Sequence, residues 1–451
     1  MPTAPTIRLL PGGTAPDDVA ALRTALAERL AQRDLLEPGD GRPAASALPL
    51  LVPIGPGEDA GQVRADLARR ITRVPPRTDL ILRTSGSTTG TGRLIAVSAA
   101  ALAASARATH DRLGGPGTWL LPLPAHHVAG LQILIRSLMA ATASVVVDTS
   151  TGFSPTALAD ALRSARPAPG PSTARLYTSL VPTQLVRVLR DPAASSALAQ
   201  ADAVLLGGAA ADPALLARAR GAGITVVTTY GMSETGGGCV YDGRPLDGVE
   251  ISIQDPDTDG AGRILISGPV LAEGYLHSPE LTHDDAGEGF ADSAGARVLT
   301  TSDRGRLRPD GRLEVLGRLD DVIITGGIKV EPRYVEEALT GLEAVAEACV
   351  VGLPDEQWGS VVTAAVVLEP AAGREGAGAP DGAALREAAR ARLDGARAPK
   401  RVVILEGLPL RPSGKVDRRA VARILAEAAA TATPPAAESP GPSAPSSTPG
   451  P

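Results

Sequence analysis

The sequence predicts an α/β protein: a large N-terminal domain of layered α/β subdomains with a small β-rich part, followed by a smaller α+β C-terminal domain. Three observations predict it. Short apolar runs alternate with stretches of helical periodicity as far as Gly231, as the strands and helices of a largely parallel sheet do. After Gly248 the pattern becomes an alternation of apolar and polar residues, the mark of half-buried antiparallel strands. Near Asp320 a fresh set of strand-like and helical stretches begins. The domains expected are therefore 1–317 and 318–427, with a tail at 428–451.

Each element has its own signal. Asp17–Arg33 carries apolar residues at helical spacing behind an aspartate cap, and Ser98–Leu113 reads as a helix capped by Ser98. The runs Thr118–Pro124, Ser144–Asp148, Ala203–Gly208 and Ile224–Gly231 read as strands. Val249–Asp255 and Gly262–Tyr275 alternate, and Gly305–Asp321 contains a Pro-Asp-Gly turn between two strand-like runs, a hairpin signal. In the last domain a helix opens after Pro332. Ala348–Pro354, Val361–Pro370 and Arg401–Pro409 read as strands around a helix at Ala384–Leu393. From Ala428 the chain is Pro, Ser and Ala with almost nothing to bury, so a disordered tail is expected.

With 451 residues the chain exceeds one ordinary core. Its net charge of −6, with both signs interspersed, lacks the basic face that nucleic acid binding needs. Cys239 and Cys349 offer neither a disulfide framework nor a CxxC metal spacing. No apolar run approaches the ~20 residues of a membrane span, and the N-terminus lacks a basic stretch followed by a long apolar one. A soluble, cytoplasmic protein is expected.

The stretch RTSGSTTGTGR, Arg83–Arg93, follows the apolar run Leu80–Leu82. Small residues let backbone approach an anion, and amides and hydroxyls supply donors. It is neither a Walker loop nor a dinucleotide GxGxxG. A merely polar loop is the other reading of these residues alone. Further along lie LLGGAA at Leu205–Ala210, TYGMSE at Thr229–Glu234, TSD at Thr301–Asp303, GRLDDVIITGGIKVEPRYVEEAL at Gly317–Leu339 and PLRPSGKVDR at Pro409–Arg418.

Taken in order, these six stretches resemble the motifs of the adenylate-forming superfamily, which includes acyl-CoA ligases, peptide-synthetase adenylation domains and luciferases. The first resembles its phosphate loop TSGSTGxPK. Thr84, Ser85, Gly86, Ser87 and Thr88 match, Thr89 looks inserted before Gly90, and Gly92 and Arg93 stand where the pattern has Pro and Lys. The resemblance implies ATP, Mg²⁺ and coenzyme A. It implies that Gly207, Gly208 and Ala209 pack on adenine, that Tyr230 stacks on it, and that Gly231, Met232 and Ser233 line the same site. It further implies that Glu234 and Thr88 hold Mg²⁺, that Asp303 accepts ribose hydroxyls and that Arg318 reaches ribose or phosphate. Lys415 would be the catalytic lysine, Asp320 the hinge of the small domain, and Gly326–Gly327 the loop presented to a pantetheine tunnel. The segment ahead of the polar loop is short for this superfamily, implying a reduced N-terminal subdomain.

LPLPAHHVAGLQILIRS at Leu121–Ser137, with TSLVPTQL at Thr178–Leu185 and YGMSETGGGCVYDGRPLDGV at Tyr230–Val249, resembles the o-succinylbenzoate–CoA ligases of menaquinone biosynthesis. That resemblance implies a pocket containing His127, Ser179, Gly231 and Ser233. Such a substrate keeps one idle carboxylate, for which Arg136 is the candidate fork; a solvated helix end is the alternative. His127 would pack on the substrate ring or orient the reacting carboxylate, unless it is a core histidine. The partners implied are small molecules (the acid, ATP and coenzyme A), with no nucleic acid, no membrane span and a homodimer left open. Another carboxylic acid, a free-standing adenylation domain loading a carrier protein, and an adenylate-binding protein without chemistry are the competing readings.

Overall fold

The computed structural model describes residues 5–36, 48–71, 73–84, 92–165, 175–276, 289–293, 296–369, 379–393, 395, 397–411 and 414–431. Two sheets and the helices between them form the larger layers. The first sheet orders Ile7–Pro11, Leu50–Ile54, Leu80–Arg83, Leu94–Val97 and Gly274–Tyr275. Its first three strands run parallel, and the polar loop joins an antiparallel pair, Leu80–Arg83 with Leu94–Val97.

The second sheet supplies the strand ends that matter. Ser144–Val146, Gly117–Leu121, Arg175–Leu180, Ala203–Leu206 and Val226–Met232 lie parallel in that order, and Gly237–Tyr241 and Arg244–Pro245 extend the edge antiparallel. Ala203–Leu206 is buried at all four positions, so an unbroken apolar run suits it. From Gly117–Leu121 the chain goes first to one side and then to the other. The strand order therefore reverses between Gly117–Leu121 and Arg175–Leu180, the place where parallel sheets bind ligands.

Helices Ala99–Leu113 and Val128–Met139 contribute to one apolar core shared by both sheets, containing Leu51, Leu80, Leu102, Trp119, Leu121 and Ile133. Helices Pro155–Ala165, Pro182–Leu189 and Pro213–Gly221 cover another core against the second sheet, through Leu158, Leu185 and Leu215. The β-rich part pairs Glu250–Gln254, Ala261–Ser267, Ala296–Leu307 and Gly289–Ser293, with Leu313–Arg318 folding back across the expected turn. The last domain has the hairpin Ile323–Thr325/Ile328–Val330 and a sheet of Val345–Asp355, Gly359–Leu368 and Arg401–Ile404. Helices Pro332–Thr340, Gly382–Arg390 and Arg418–Thr431 accompany that sheet. Both cysteines are buried and unpaired.

Two boundaries differ from expectation. The first helix runs Pro16–Gln32 with Ala15 at its cap and no capping side chain. Pro16 needs no amide partner in the first turn, and Asp17 and Asp18 sit where the helix dipole favours an anion instead of acting as the cap. The final helix continues to Thr431 rather than stopping before Ala428, because Val421 and Leu425 are buried against the small domain and anchor it. Residues 432–451 of the expected tail lie outside the described residues.

Asp79 ties these layers together. Its carboxylate accepts from Arg29 Nη1 at 3.0 Å, from Arg33 Nε and Nη2 at 2.9 and 2.8 Å, and from the Ala99 amide at 2.8 Å. Arg29 and Asp79 are nearly inaccessible, with side-chain exposures of 4% and 3%. Removing one member of such a pair leaves a buried charge uncompensated. Asp79→Ala is therefore expected to lower unfolding stability by about 3–5 kcal/mol. Combining it with Arg29→Met is expected to recover part of the loss, as read from urea unfolding curves.

Candidate active site

The site forms where the strands of the second sheet end. Gly207 follows Ala203–Leu206, and a Cβ there would collide with Thr229 Oγ1 on the neighbouring strand. Gly208 adopts φ 82°, a left-handed conformation that favours glycine. A Cβ at Gly208 would lie 3.1 Å from Lys415 Cε and 3.3 Å from Val181 Cγ1. The lysine of the small domain thus lies directly over the bare backbone of Gly208. Ala209 beside it is exposed.

Lys415 is carried on a tight turn. Gly414, at φ 78°, donates its amide to Arg411 O, and Arg411 donates to Lys415 O, both at 2.8 Å. Thr183 of the large domain donates its hydroxyl to Gly414 O at 3.0 Å. Lys415 stays accessible in the cleft, yet surrounding protein and the nearby Arg411 and Arg318 lower its pKa, while Glu234 acts in the opposite direction.

Tyr230, Gly231 and Met232 end the strand Val226–Met232, and Ser233–Thr235 form one turn of 3₁₀ helix that carries Glu234. A Cβ at Gly231 would collide with Gly237 O. Tyr230 Oη donates to Asp303 Oδ2 at 2.7 Å, and Arg318 Nη1 lies 3.9 Å from Asp303 Oδ1. Arg318 also grips Asp320 with two bonds of 2.8 Å. Burial and the Asp303 carboxylate raise the Tyr230 pKa, so its hydroxyl keeps the proton it donates.

Glu234 is buried and accepts from Tyr275 Oη at 2.9 Å. Among the described residues no cluster of three or more His, Cys, Asp or Glu side chains could hold a metal. A single carboxylate at a strand end suits Mg²⁺, which takes one or two protein carboxylates and completes its shell with phosphate oxygens and water.

The expected phosphate-loop residues Ser85, Gly86, Ser87, Thr88 and Gly90 lie outside the described residues. The loop's two ends are described and clamped: Thr84 N donates to Arg93 O at 3.0 Å, and Arg93 N donates to Thr84 Oγ1 at 2.8 Å. The buried Arg70 donates to Gly92 O.

His127 caps the helix Val128–Met139 through its backbone, and its ring packs 4.2 Å from that of His126. Burial, His126 and Lys415 push its pKa down to about 4. Its Nε2 is buried without a hydrogen-bond partner among the described residues. Ser179 is buried on the strand Arg175–Leu180. Arg136, expected as a fork for a second carboxylate, is packed inside: its guanidinium lies 4.9 Å over the Trp119 ring and donates to Tyr241 Oη at 3.2 Å. The structure does not bring Arg136 to Lys415 and Glu234. Gly326 and Gly327 turn the small-domain hairpin at φ 54° and 82°, with Gly326 against Trp358.

Sequence reasoning missed the individual roles of Tyr275, Val181 and Thr183. Val181 and Thr183 lie within the Thr178–Leu185 stretch and Tyr275 at the end of an expected strand, but only tertiary contacts give these side chains their roles.

Large and small domain, strand-end cleft and intruding lysine together define an adenylate-forming enzyme. The chain belongs to the AMP-binding enzyme family, whose main domain matches residues 36–276 and whose C-terminal domain matches residues 334–415. A Mycobacterium tuberculosis protein named "Probable 2-succinylbenzoate--CoA ligase" is 44% identical over 344 residues, 76% of this chain and 84% of that one. A 2-succinylbenzoate–CoA ligase of Listeria monocytogenes is 30% identical over 67% of this chain and 60% of that one. In fold, the chain resembles the Bacillus subtilis o-succinylbenzoate CoA synthetase solved with the acyl-adenylate OSB-AMP, with TM-score 0.65 and 23% identity over 93% of this chain and 96% of that one. It likewise resembles ATP-bound MatB of Rhodopseudomonas palustris, with TM-score 0.69 and 20% identity over 94% of this chain and 96% of that one.

His110 shares the depressed pKa of His127, also about 4, through burial and the charge of Arg136. As pH falls from 6.5 toward 4 the unfolded chain takes up protons at both histidines that the folded chain refuses. Stability carried by the neutral rings is thus expected to fall across that window. Urea midpoints of the parent should drop more steeply there than those of a His110→Gln variant, and imidazole NMR should find His127 neutral at about pH 5.5.

Proposed function

We propose that the chain is an ATP-dependent ligase. It activates o-succinylbenzoate as an acyl-adenylate and transfers the acyl group to coenzyme A, releasing AMP and pyrophosphate, a step of menaquinone biosynthesis. The observation that supports this most is the meeting of Lys415, from the small domain, with Gly208, within electrostatic reach of Glu234 and His127. The choice of acid is supported by the M. tuberculosis relative and by the His127-Val-Ala-Gly-Leu stretch.

In the first half-reaction a carboxylate oxygen attacks the α-phosphorus of ATP and the bond to pyrophosphate breaks. Both reactants are anions, so the barrier is largely charge repulsion. Lys415 offsets the charge gathering on the phosphate, and the Thr84–Arg93 loop holds the leaving phosphates. Tyr230 lies along adenine, and Asp303 accepts the ribose hydroxyls. Glu234, with Thr88 as a second protein ligand, would hold Mg²⁺, which would supply neutralisation of phosphate charge. The neutral His127 can accept or donate one hydrogen bond to the reacting carboxyl group without adding charge. In the second half-reaction the coenzyme A thiol loses its proton to water, sulfur attacks the carbonyl carbon and the C–O bond to AMP breaks. Lys415 then obstructs the thiol, and a turn at Asp320 withdraws it and presents Gly326–Gly327. ATP and coenzyme A are supplied in the cytoplasm, where this reading places the protein.

Purified protein supplied with ATP and a panel of small acids is expected to release pyrophosphate with o-succinylbenzoate above the other acids, and to yield a thioester only when coenzyme A is present. Pyrophosphate release with a different acid alone would reassign the substrate.

Lys415→Ala is expected to slow acyl-adenylate formation by about 10²–10³ while largely sparing thiolysis of pre-formed acyl-adenylate. Single-turnover measurement of each half-reaction checks it; an equal fall in both would remove Lys415 from its assigned role.

A further inference from the structure

Tyr275 lies within the matched residues 36–276 but outside the motif stretches that supply the site residues, yet it touches two charged groups of the site. It lies on the two-residue strand Gly274–Tyr275, which pairs antiparallel with Leu94–Val97 and sets Tyr275 opposite Ile95. That register brings its ring beside Arg93, where the polar loop ends. Tyr275 Oη donates to Glu234 Oε1 at 2.9 Å and accepts from Arg93 Nη1 at 3.3 Å. The Arg93 guanidinium carbon lies 5.0 Å over the centre of the same ring. Phe290 meets the ring edge-on at 5.4 Å.

The chemistry of the contact is directional. A phenol has one proton to donate, and here it goes to the carboxylate. The oxygen's lone pairs then face the guanidinium. One planar side chain thereby fixes the direction of an acid on the second sheet relative to a cation on the first.

We propose that Tyr275 is a positioning residue for adenylation, locking Glu234 and Arg93 into a single unit that receives the metal–triphosphate. This rests on the ligase reading above and deepens it. It also gives a physical account of arginine at position 93. An ammonium can sit over the ring or donate to the hydroxyl, but it lacks the planar fork with which a guanidinium donates from one edge while stacking its face on the ring. Arg93→Lys is thus not conservative in this chain, and its effect should depend on Tyr275.

The test uses the full chain and Mn²⁺ as the probe, with ATP present and no acid, so that nothing turns over. Tyr275→Phe keeps the ring and its contact with Phe290 and removes the hydroxyl. A hydrogen bond to a charged group sets the scale, so Mn²⁺ binding to the enzyme–ATP complex, read by electron paramagnetic resonance, is expected to weaken about tenfold. The Mg²⁺ concentration for half-maximal pyrophosphate release is expected to rise in parallel, with thiolysis of pre-formed acyl-adenylate unchanged. In a double-mutant cycle, Tyr275→Phe is expected to cost less on an Arg93→Lys background than on the parent. Phe290→Leu, which trims the packing at the ring's edge and keeps both hydroxyl contacts, is expected to lower the melting temperature and leave Mn²⁺ affinity alone. Parent-like Mn²⁺ affinity in Tyr275→Phe, additive effects in the cycle, or the same loss of Mn²⁺ affinity in Phe290→Leu would each overturn the proposal. If the parent itself fails to bind Mn²⁺ with ATP, the ligase reading falls and this inference with it.

Discussion

The site depends on one close approach: the stem of Lys415 lies on the bare backbone of Gly208, at the end of a parallel strand. Beside the bond from Thr183 to Gly414 O, what makes the approach feasible is steric. Gly208 has no side chain to obstruct it, and Val181 walls the same space, in contact with both the Gly208 and Gly414 positions. Gly414 bends the turn so that Lys415 faces the large domain. Gly207 must be bare for a separate reason, since Thr229 on the adjacent strand fills the volume a side chain would need. Two consecutive glycines thus answer two different neighbours, one within the sheet and one across the domain boundary.

Around that contact the charges are arranged in opposed pairs. Glu234 raises the affinity of Lys415 for its proton, while Arg411 and Arg318 lower it. Asp303 is held by the Tyr230 hydroxyl and lies near Arg318, which itself binds Asp320. His127 is kept neutral beside this lysine by burial and by its neighbours' charge. A bound triphosphate would enter a place where Lys415, Arg411 and Arg318 stand among Glu234, Asp303 and Asp320, with an uncharged imidazole close by. Such preorganised charge works best where water is excluded.

Much of this was legible because the signals are local. The apolar runs before Gly207 and Tyr230 are strands, and their ends carry the glycines, the aromatic and the acid within a few residues. The Pro-Asp-Gly turn, Ser98 as a helix cap and Pro332 at the start of its helix follow from single-residue preferences. What stayed hidden depends on pairing between distant segments. Tyr275 reaches Glu234 only because its short strand adds to the edge at Leu94–Val97. Arg136 on an apolar helix suggested a cation aimed at a ligand. In a chain so poor in aromatics nothing local announced that Trp119 and Tyr241 would enclose it. The start of the first helix was misread by one residue because proline and two aspartates send overlapping signals at a helix start.

The boundary between the domains is built to part cheaply. Among the described residues the contacts crossing it include the Lys415 turn with its bond from Thr183, the bonds from Arg333 to Val315 O and from Leu319 N to Ser302 O, and ion pairs at partly exposed positions. Glu369 of the small domain meets Arg218 at 2.8 Å and Arg190 at 3.7 Å, and Glu331 meets Arg304. Pairs of this kind contribute about 0.2–1 kcal/mol each, because water screens them and long side chains lose freedom in forming them. The small domain keeps its own apolar core around Val335, Val350, Val362 and Leu385, so separating it from the larger domain would not expose that core. Arg318 and Asp320, bonded to each other two residues apart, sit where the chain passes from one domain to the next. A rotation there, which the proposed second half-reaction calls for, would break weak polar contacts and leave both cores whole. The strong interactions, Asp79 with its arginines and the shared apolar core, lie inside the large domain, where rigidity is needed to hold Gly208, Tyr230 and Glu234 in register.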